Sequence, residues 1–412
     1  MRHPHRVAVT GLGAVTPIGN DVETFRRNLL AGVSGAGPIT LFDPASLPTR
    51  FACEVKWTGP VLRDRKVTFA LEAARQAFEQ ATDGSDAGPG SRPLGPGGVS
   101  LGIGLELFSI DGGILTPSDL AVHLIARRYG LEAPPLTHVS ACAAGTDAIG
   151  HAFRLVASGR WRHALAGGAD SMINPLGVGG FCKIGATSTR NADPTRASRP
   201  FDRARDGFVL GEGAAVLVLE RLEDARARGA PVLAEIAGYG ASFDAHGISE
   251  PHPEGRGAFQ AMARALADAE ARPEDVDCVN AHGTSTPKND PIETLAIKRL
   301  LGERARAVPV CATKSMIGHL ISAAGAVEAV AAIEGLRAGL VHPTINLEAP
   351  DPLCDLDHVA GGAARPHEQR CVLSNSFAFG GQNAAIVIVR PDDRRLPLPP
   401  GEGPGEGRDA RR

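Results

Sequence analysis

An α/β fold, its sheet covered by helices on both faces, is predicted by three observations. Runs of strand length, rich in valine and leucine, recur along the chain. Segments of helical periodicity separate them. The alternation persists through both halves of the sequence. With 412 residues, 43% of them hydrophobic, the chain can bury one large core or two fused ones.

The elements follow in order. "RVAVTGLGAVTPIGN" reads as a strand followed by a glycine turn. Gly11, Gly13 and Gly19 invite a dinucleotide-binding reading, but Thr16 stands where that fingerprint needs glycine and Pro17 interrupts the helix. Helical patterns occupy about 21–31, 67–81 and 115–130. "LTHVS" reads as a buried strand, and a helix runs from Cys142 to about Ala157. "HALAGGAD", "GAAVLVLE" and "VLAEIAGYG" read as strands. The second half continues with a helix near 256–270, the strand "VDCVNAHG", a helix near 290–302 and the strand "VPVCATK". A long helix starts at about His319, and the strands "CVLSNSF" and "AAIVIVR" close the pattern. "SDAGPGSRPLGPGGV" reads as a surface loop, and residues 392–412 as a disordered tail rich in Pro, Gly and charge.

Composition excludes several classes. The formal charge is -3, from 43 basic and 46 acidic residues, which gives no electrostatic case for nucleic acid or an anionic membrane. Aromatics are 4%, too few for base-stacking platforms. The 7 cysteines are odd in number and form no CxxC pair, so neither a disulfide framework nor a zinc ribbon is expected. A reducing compartment fits better. The N-terminus runs straight into a strand pattern without a signal-peptide core. The apolar stretch "LISAAGAVEAVAAIEGLRAGLV" carries Glu328, Glu334 and Arg337 and reads as a buried helix, not a membrane span. The expected location is the cytoplasm.

Chemistry concentrates in four places. Cys142, in "LTHVSACAAGTDAIGHAF", stands where a strand ends and a helix begins. Free N–H groups at a helix start favour an anion, so a thiol there is expected to have a lowered pKa and to act as a nucleophile. Ala141, Ala143, Ala144 and Gly145 leave room for a substrate. The other six cysteines lack this setting and suit the role of small core residues. "NAHGTSTPKND" places His282 just after a strand, among small hydroxyl residues. "TKSMIGHLISAAG" places Lys314 at a strand end and His319 at a helix start. Such junctions are where α/β proteins build sites. "SNSFAFGGQN" puts Phe377 and Phe379 beside Gly380 and Gly381, an aromatic that can swing and N–H groups that can reach an oxyanion.

Together these blocks resemble the four signature blocks of the elongating β-ketoacyl-acyl-carrier-protein synthases, the ketosynthases of the thiolase superfamily. The central stretch from "GFCKIGATSTRNADP" to "GAAVLVLE" is also similar, and the likeness covers about residues 5–390. The resemblance implies a thiolase-like, duplicated α/β/α/β/α fold of five layers. Residues 1–245 would form the half with the nucleophile, and residues 246–391 the half with the histidines. It implies that Cys142 accepts the acyl group and that His282 and His319 support malonyl decarboxylation. Lys314 would set the local field, with Glu328 behind it as structural support. Thr284 and Thr286 would hold the phosphopantetheine arm. Phe379 would be the gate, its N–H joining that of Cys142 in an oxyanion hole. No metal and no cofactor is expected beyond the pantetheine of an acyl carrier protein.

Two rival readings share these parts. A non-elongating partner subunit of the chain-length-factor type has the fold but replaces the nucleophile, whereas all three of Cys142, His282 and His319 are present. A cysteine thioester hydrolase also uses Cys and His. Two departures from the family pattern stand out. Lys288 occupies a position where a small or apolar residue is expected. The stretch from Gly102 to Cys142, which in the family lines the acyl pocket and the dimer interface, is short. Ile114, Leu120, Val122, Leu124 and Ile125 remain there as a candidate apolar face, so a homodimer or a heterodimer with a related subunit is expected. The cluster Arg63, Arg65 and Lys66 is a candidate docking surface for the acidic carrier.

Overall fold

The computed structural model describes residues 3–62, 64–82, 94, 97–105, 107–108 and 114–391. The strands of its main sheet are β1 (Val7–Val15), β2 (Gly97–Ile103), β3 (Leu136–His138), β4 (His163–Ser171), β5 (Glu212–Arg221) and β6 (Ala234–Phe243). They continue with β7 (Cys278–Asn280), β8 (Pro309–Cys311), β9 (Asp357–His358), β10 (Cys371–Phe377) and β11 (Gln382–Val389). The order is β9-β8-β7-β10-β11-β6-β1-β5-β4-β2-β3. It repeats itself. Outward from the middle, the first set runs β1-β5-β4-β2-β3 and the second runs β6-β11-β10-β7-β8. In each set the first strand is innermost, followed by the fifth, fourth, second and third. The sets join where β1 and β6 pair antiparallel, Val7 opposite Ile236 and Val9 opposite Ala234. The second set thus opens at Ala234, ahead of the division expected near 245.

The helices used below are α1 (Val22–Leu30), α2 (Arg65–Ala81), α3 (Leu120–Tyr129), α4 (Ala144–Ala157), α5 (Pro175–Lys183), α6 (Arg256–Asp268), α7 (Asn289–Leu301) and α8 (Ala324–Ala338). Helices α4 and α8 pack against each other, and each touches strands of both sets. They form the middle layer. Helix α2, with α3, covers the outer face of the first set, and α6, with α7, covers that of the second. This is the five-layer arrangement. Strand alternation carries it: Ala215, Leu217 and Leu219 of β5 face the middle core, while Ala214, Val216 and Val218 face α2. Likewise Ala384, Ile386 and Ile388 of β11 point inward, and Ala385, Val387 and Val389 face the outer helices. Helix α8 is buried from Ala324 to Leu336, so apolar residues occupy every face, and its two buried acids, Glu328 and Glu334, pair with Lys314 and Arg337. Among the described residues no helix is long and apolar enough to cross a membrane. All seven cysteines are free.

The structure corrects three expectations. The glycines of "VTGLGAV" do not form a turn. Strand β1 runs through them, because a Cβ on Gly11 or Gly13 would lie 2.0 or 1.9 Å from the Ala77 or Ala73 carbonyl oxygen of α2. Glycine lets that helix close on the sheet. Gly238 and Gly240 of β6 meet α6 in the same way, at 2.3 and 2.2 Å from the Ala265 and Ala261 oxygens. Second, the helix expected from about 115 starts at Leu120, after a short hairpin of Leu107–Phe108 with Ile114–Thr116. Pro117 disfavours helix at the residue before it. Val122 and Ile125 pack into the chain's own outer core and offer no free apolar face. Third, the long helix starts not at His319 but at Ala324, after a 3₁₀ turn at Ile321–Ala323. The side chain of Ile114, most of the Gly/Pro-rich stretch around 85–96 and the tail 392–412 lie outside the described residues.

Candidate active site

Cys142 sits in a 3₁₀ turn, Ala141–Ala143, that leads into α4. Ala141 has φ +47°, a strained setting for a residue with a side chain, and it turns the thiol out of the strand direction. The helix behind it must come close to α8: a Cβ on Gly145 would lie 2.8 Å from the Ser322 carbonyl oxygen. Burial pushes the thiol up to about 11, with Asp170 adding to the rise. Backbone N–H bonds from Phe379 and from Cys142 itself, and the charge of Lys314, pull the other way. The lowered pKa expected from the helix terminus alone is therefore corrected: desolvation by burial outweighs it.

His319 is held on both sides of its peptide. Its N–H donates to Val209 O (2.7 Å), and its carbonyl accepts from Gly211 N–H (2.9 Å). The approach depends on Gly318, at φ +71°, whose Cβ would lie 2.7 Å from Val209 O and 2.9 Å from Cys53 Sγ. His319 Nδ1 accepts from the Ile321 N–H at 3.1 Å, which leaves the ring proton on Nε2. Nε2 in turn lies 3.1 Å from Cys142 Sγ.

His282 follows β7 in a loop tied down by α7. The N–H groups of His282 and Gly283 donate to Glu293 (2.7 and 2.8 Å), and that of Thr284 donates to Asp290 (3.1 Å). Lys314 fixes the ring. Its ammonium has three N–H donors and uses them on Glu328 Oε1 (2.5 Å), His282 O (2.7 Å) and His282 Nδ1 (3.2 Å). That last bond leaves the His282 proton on Nε2 too. Burial holds both histidines well below the usual imidazole range, with the charge of Lys314 adding to it, so both are neutral. Burial pushes Glu328 up to about 7 against the pull of Lys314. The rings lie 5.3 Å apart at 82°, and one nitrogen of each and the Cys142 sulfur fall within 4.8 Å of one another. With both Nδ1 atoms occupied, the histidines present N–H donors to the cavity.

A cavity of about 230 Å³ opens from Cys142, His282 and His319. Phe377, Phe379, Thr284 and Thr286 line it, together with Lys288. The Phe377 ring is 6.0 Å from that of His282, and the two threonine hydroxyls are 2.9 Å apart. Gly380 and Gly381, at φ +84° and +78°, follow Phe379. Lys288 is exposed and pairs with Glu250, so the departure at this position is an ion pair across the cavity lining.

The fold thus gathers nine of the residues singled out in the sequence: Cys142, His282, Lys314, His319, Glu328, Thr284, Thr286, Phe377 and Phe379. It does not present the basic cluster. Lys66 is buried and bonds Asp64 Oδ2 (2.6 Å) and Leu105 O (2.7 Å), while Arg65 pairs with the buried Glu212. Both cations compensate interior carboxylates and are not free for a carrier, so that expectation is corrected for them; Arg63 lies outside the described residues. Sequence reasoning missed Asp290 and Glu293, although two acids three apart at a helix start signal an N-terminal clamp. It also missed Asp170, which has no such local signal.

A duplicated five-layer fold with a Cys-His-His cavity at the ends of its strands, backed by a buried lysine, defines a thiolase-type acyl-transferring enzyme. Residues 5–225 match the β-ketoacyl synthase N-terminal domain and residues 233–348 the β-ketoacyl synthase C-terminal domain. The chain belongs to the β-ketoacyl synthase family and is a ketosynthase. It is 43% identical over 413 residues to 3-oxoacyl-[acyl-carrier-protein] synthase 2 of Coxiella burnetii, and 44% identical over 409 residues to that of Synechocystis. In both cases 93% of this chain and 98% of the relative are covered. Among solved structures it is similar to a type II polyketide synthase acyl-carrier protein in complex with its ketosynthase bound to the hexaketide. There the TM-score is 0.85 at 33% identity, covering 94% of this chain and 100% of the other. The ishigamide ketosynthase/chain length factor matches with a TM-score of 0.82 at 33% identity, covering 94% and 99%.

Proposed function

We propose that this chain condenses an acyl thioester with malonyl-acyl-carrier-protein, releasing carbon dioxide and giving a 3-oxoacyl-acyl-carrier-protein. The observation that carries the reading is the pair of neutral imidazoles, each with its Nδ1 occupied and its Nε2–H turned to the cavity, that of His319 lying 3.1 Å from Cys142 Sγ. In the first half-reaction Cys142 Sγ attacks the acyl carbonyl, and the N–H groups of Cys142 and Phe379 receive the oxyanion. The carbonyl re-forms, and the arm leaves as a thiol carrying the proton Cys142 gave up. In the second, the carboxylate of the malonyl thioester departs as carbon dioxide and its electron pair becomes an enolate. The two Nε2–H groups hold that oxygen. The enolate carbon bonds to the acyl carbonyl, the bond to Sγ breaks, and Cys142 takes up a proton. Each donor is worth about 2.7–4 kcal/mol by comparison with oxyanion donors elsewhere. Thr284 and Thr286 hold the phosphopantetheine arm, Phe377 and Phe379 form the gate, and Lys314 with Glu328 fixes His282.

A hydrolase would need an imidazole lone pair aimed at the thiol or at water. The Ile321 N–H on Nδ1 places a donor there instead. The partner is an acyl carrier protein, the substrates ride on its pantetheine without a further cofactor, and the location is the cytoplasm. The chain acts as a dimer, through the sheet edge at β3, with a second copy or with a related subunit of the chain-length-factor kind. The second copy is favoured, because the matches to 3-oxoacyl-[acyl-carrier-protein] synthase 2 are at 43 and 44% identity and the match to the ketosynthase/chain length factor is at 33%. Acyl loading read by mass spectrometry, and release of labelled carbon dioxide from malonyl carrier, test the mechanism on His282→Ala and His319→Ala. Both variants are expected to load acyl groups and to lose decarboxylation; full decarboxylation in both overturns the assignment. Native mass spectrometry of the chain expressed alone tests the dimer, and an active monomer refutes it.

A further inference from the structure

The duplication extends to the nucleophile elbow. Ala141 (φ +47°) opens the 3₁₀ turn Ala141–Ala143 that leads into α4; Ile321 (φ +45°) opens the turn Ile321–Ala323 that leads into α8. "SACAAG" and "LISAAG" align, and Ser322 stands where Cys142 stands in the other half. In the first elbow the Ala143 N–H bonds the Ser140 carbonyl (3.0 Å), and the Cys142 N–H stays with its own thiol. In the second, the Ser322 N–H is taken at 3.0 Å by Oδ2 of Asp170, from β4. Asp170 is 1% exposed, and its Oδ1 has no hydrogen-bond partner. Oδ1 faces Gly104, where a Cβ would lie 2.1 Å from it. The carbonyl of Ser322 is wedged as well, since a Cβ on Gly168 or Gly145 would lie 2.5 or 2.8 Å from it. The Ser322 peptide is thus fixed at its N–H by Asp170 and at its C=O by the backbone of β4 and α4. The residue before it, Ile321, supplies the N–H that sets the His319 tautomer.

We infer that Asp170 is a positioning residue for His319: by holding the Ser322 N–H it fixes the turn whose Ile321 N–H keeps the ring proton on Nε2, beside Cys142. The inference rests on the decarboxylating role proposed for His319, but its first readout does not. Buried carboxylates need partners, and a free helix start supplies one. The arrangement therefore holds α8 without spending the amide on substrate.

The test uses the full chain, labelled with ¹⁵N-histidine. Asp170→Ala removes the acceptor; Asp170→Asn keeps an oxygen for the Ser322 N–H and removes the charge. In Asp170→Ala, nitrogen spectra of His319 are expected to show loss of the single Nε2–H tautomer. Decarboxylation is expected to fall about tenfold or more relative to acyl transfer to Cys142. In Asp170→Asn both readouts are expected to stay within about threefold of the parent. An unchanged tautomer and ratio in Asp170→Ala overturns the inference, as does a parallel fall of both half-reactions. If Asp170→Ala does not fold, Asp170→Asn decides: selective loss of decarboxylation in that variant overturns the inference, because the bond would then not be what matters. Decarboxylation retained in His319→Ala would sink the role of His319 alone and leave the tautomer readout standing.

Discussion

Lys314→Met keeps the volume of the stem and removes three N–H bonds at once, to Glu328 Oε1, His282 O and His282 Nδ1. The bond to Nδ1 is the chemical one. Without it nothing holds the proton on Nε2, and His282 spends part of its time presenting a lone pair to the enolate oxygen. Deleting an oxyanion donor outright costs about 2.7–4 kcal/mol, or 10²–10³ in rate. The ring stays in place here, so that figure is a ceiling, and decarboxylation should fall by between about 10-fold and 10²-fold. Acyl transfer to Cys142 should change far less. Removing the nearby charge also raises the pKa of His282, since Lys314 is one of the causes of its depression. An imidazolium carries protons on both nitrogens, so the loss should shrink as the pH falls. Stability follows Glu328. Its folded pKa is raised from 4.5 to about 7, so the group destabilises the fold as the pH rises from the unfolded value through 7. Losing Lys314 moves that window upward, because Lys314 pulls the value down. Breaking a buried pair typically costs about 3–5 kcal/mol, and the cost should be smallest in acid, where Glu328 is neutral. The assays are labelled carbon dioxide release across pH, acyl adduct mass, and thermal unfolding at pH 6 and pH 8.5. Equal loss of both half-reactions in a folded variant, or a decarboxylation defect that deepens in acid, would refute the reasoning.

Three further outcomes are expected. Cys142→Ala should fold normally and carry no acyl adduct after incubation with acyl carrier thioester, and an adduct at the parental level would contradict the assignment. Gly13→Ala and Gly240→Ala should each lower the melting temperature, because the new Cβ meets a helix carbonyl at 1.9 or 2.2 Å. Overpacking costs about 1–3 kcal/mol, or roughly 1–3.5 °C for a chain of this length by calorimetry. Arg65→Glu with Lys66→Glu should cost soluble, folded protein and not merely slow carrier docking. These side chains neutralise Glu212 and Asp64 in the interior. A folded double variant with a normal circular dichroism spectrum and weak carrier binding would show the opposite.

Much of the site was legible because its residues sit at junctions that local pattern reveals. Cys142, His282, Lys314 and His319 each follow a strand signal or precede a helical one, and strands bring such ends together. The run "CVLSNSF" is a strand from end to end, Cys371–Phe377. The failures share one cause. Gly11 and Gly13 look like a turn to any local rule, and only the approach of α2 makes them strand residues. Arg65 and Lys66 look solvated at a helix start, and only the carboxylates across from them draw them in.

The sequence by itself determined the α/β class, the succession of strands and helices, which cysteine and which histidines are candidates for the site, and the burial of α8, because periodicity and side-chain chemistry are properties of adjacent residues. Tertiary structure alone decided how the two strand sets join, which cations are interior, what the thiol pKa is and which nitrogen of each histidine carries the proton. Those depend on partners far along the chain. The Asp170 carboxylate reaches Ser322, and Lys314 reaches His282, only after the sheet has folded. Desolvation, which here outweighs the helix terminus at Cys142, exists only once the middle layer is closed.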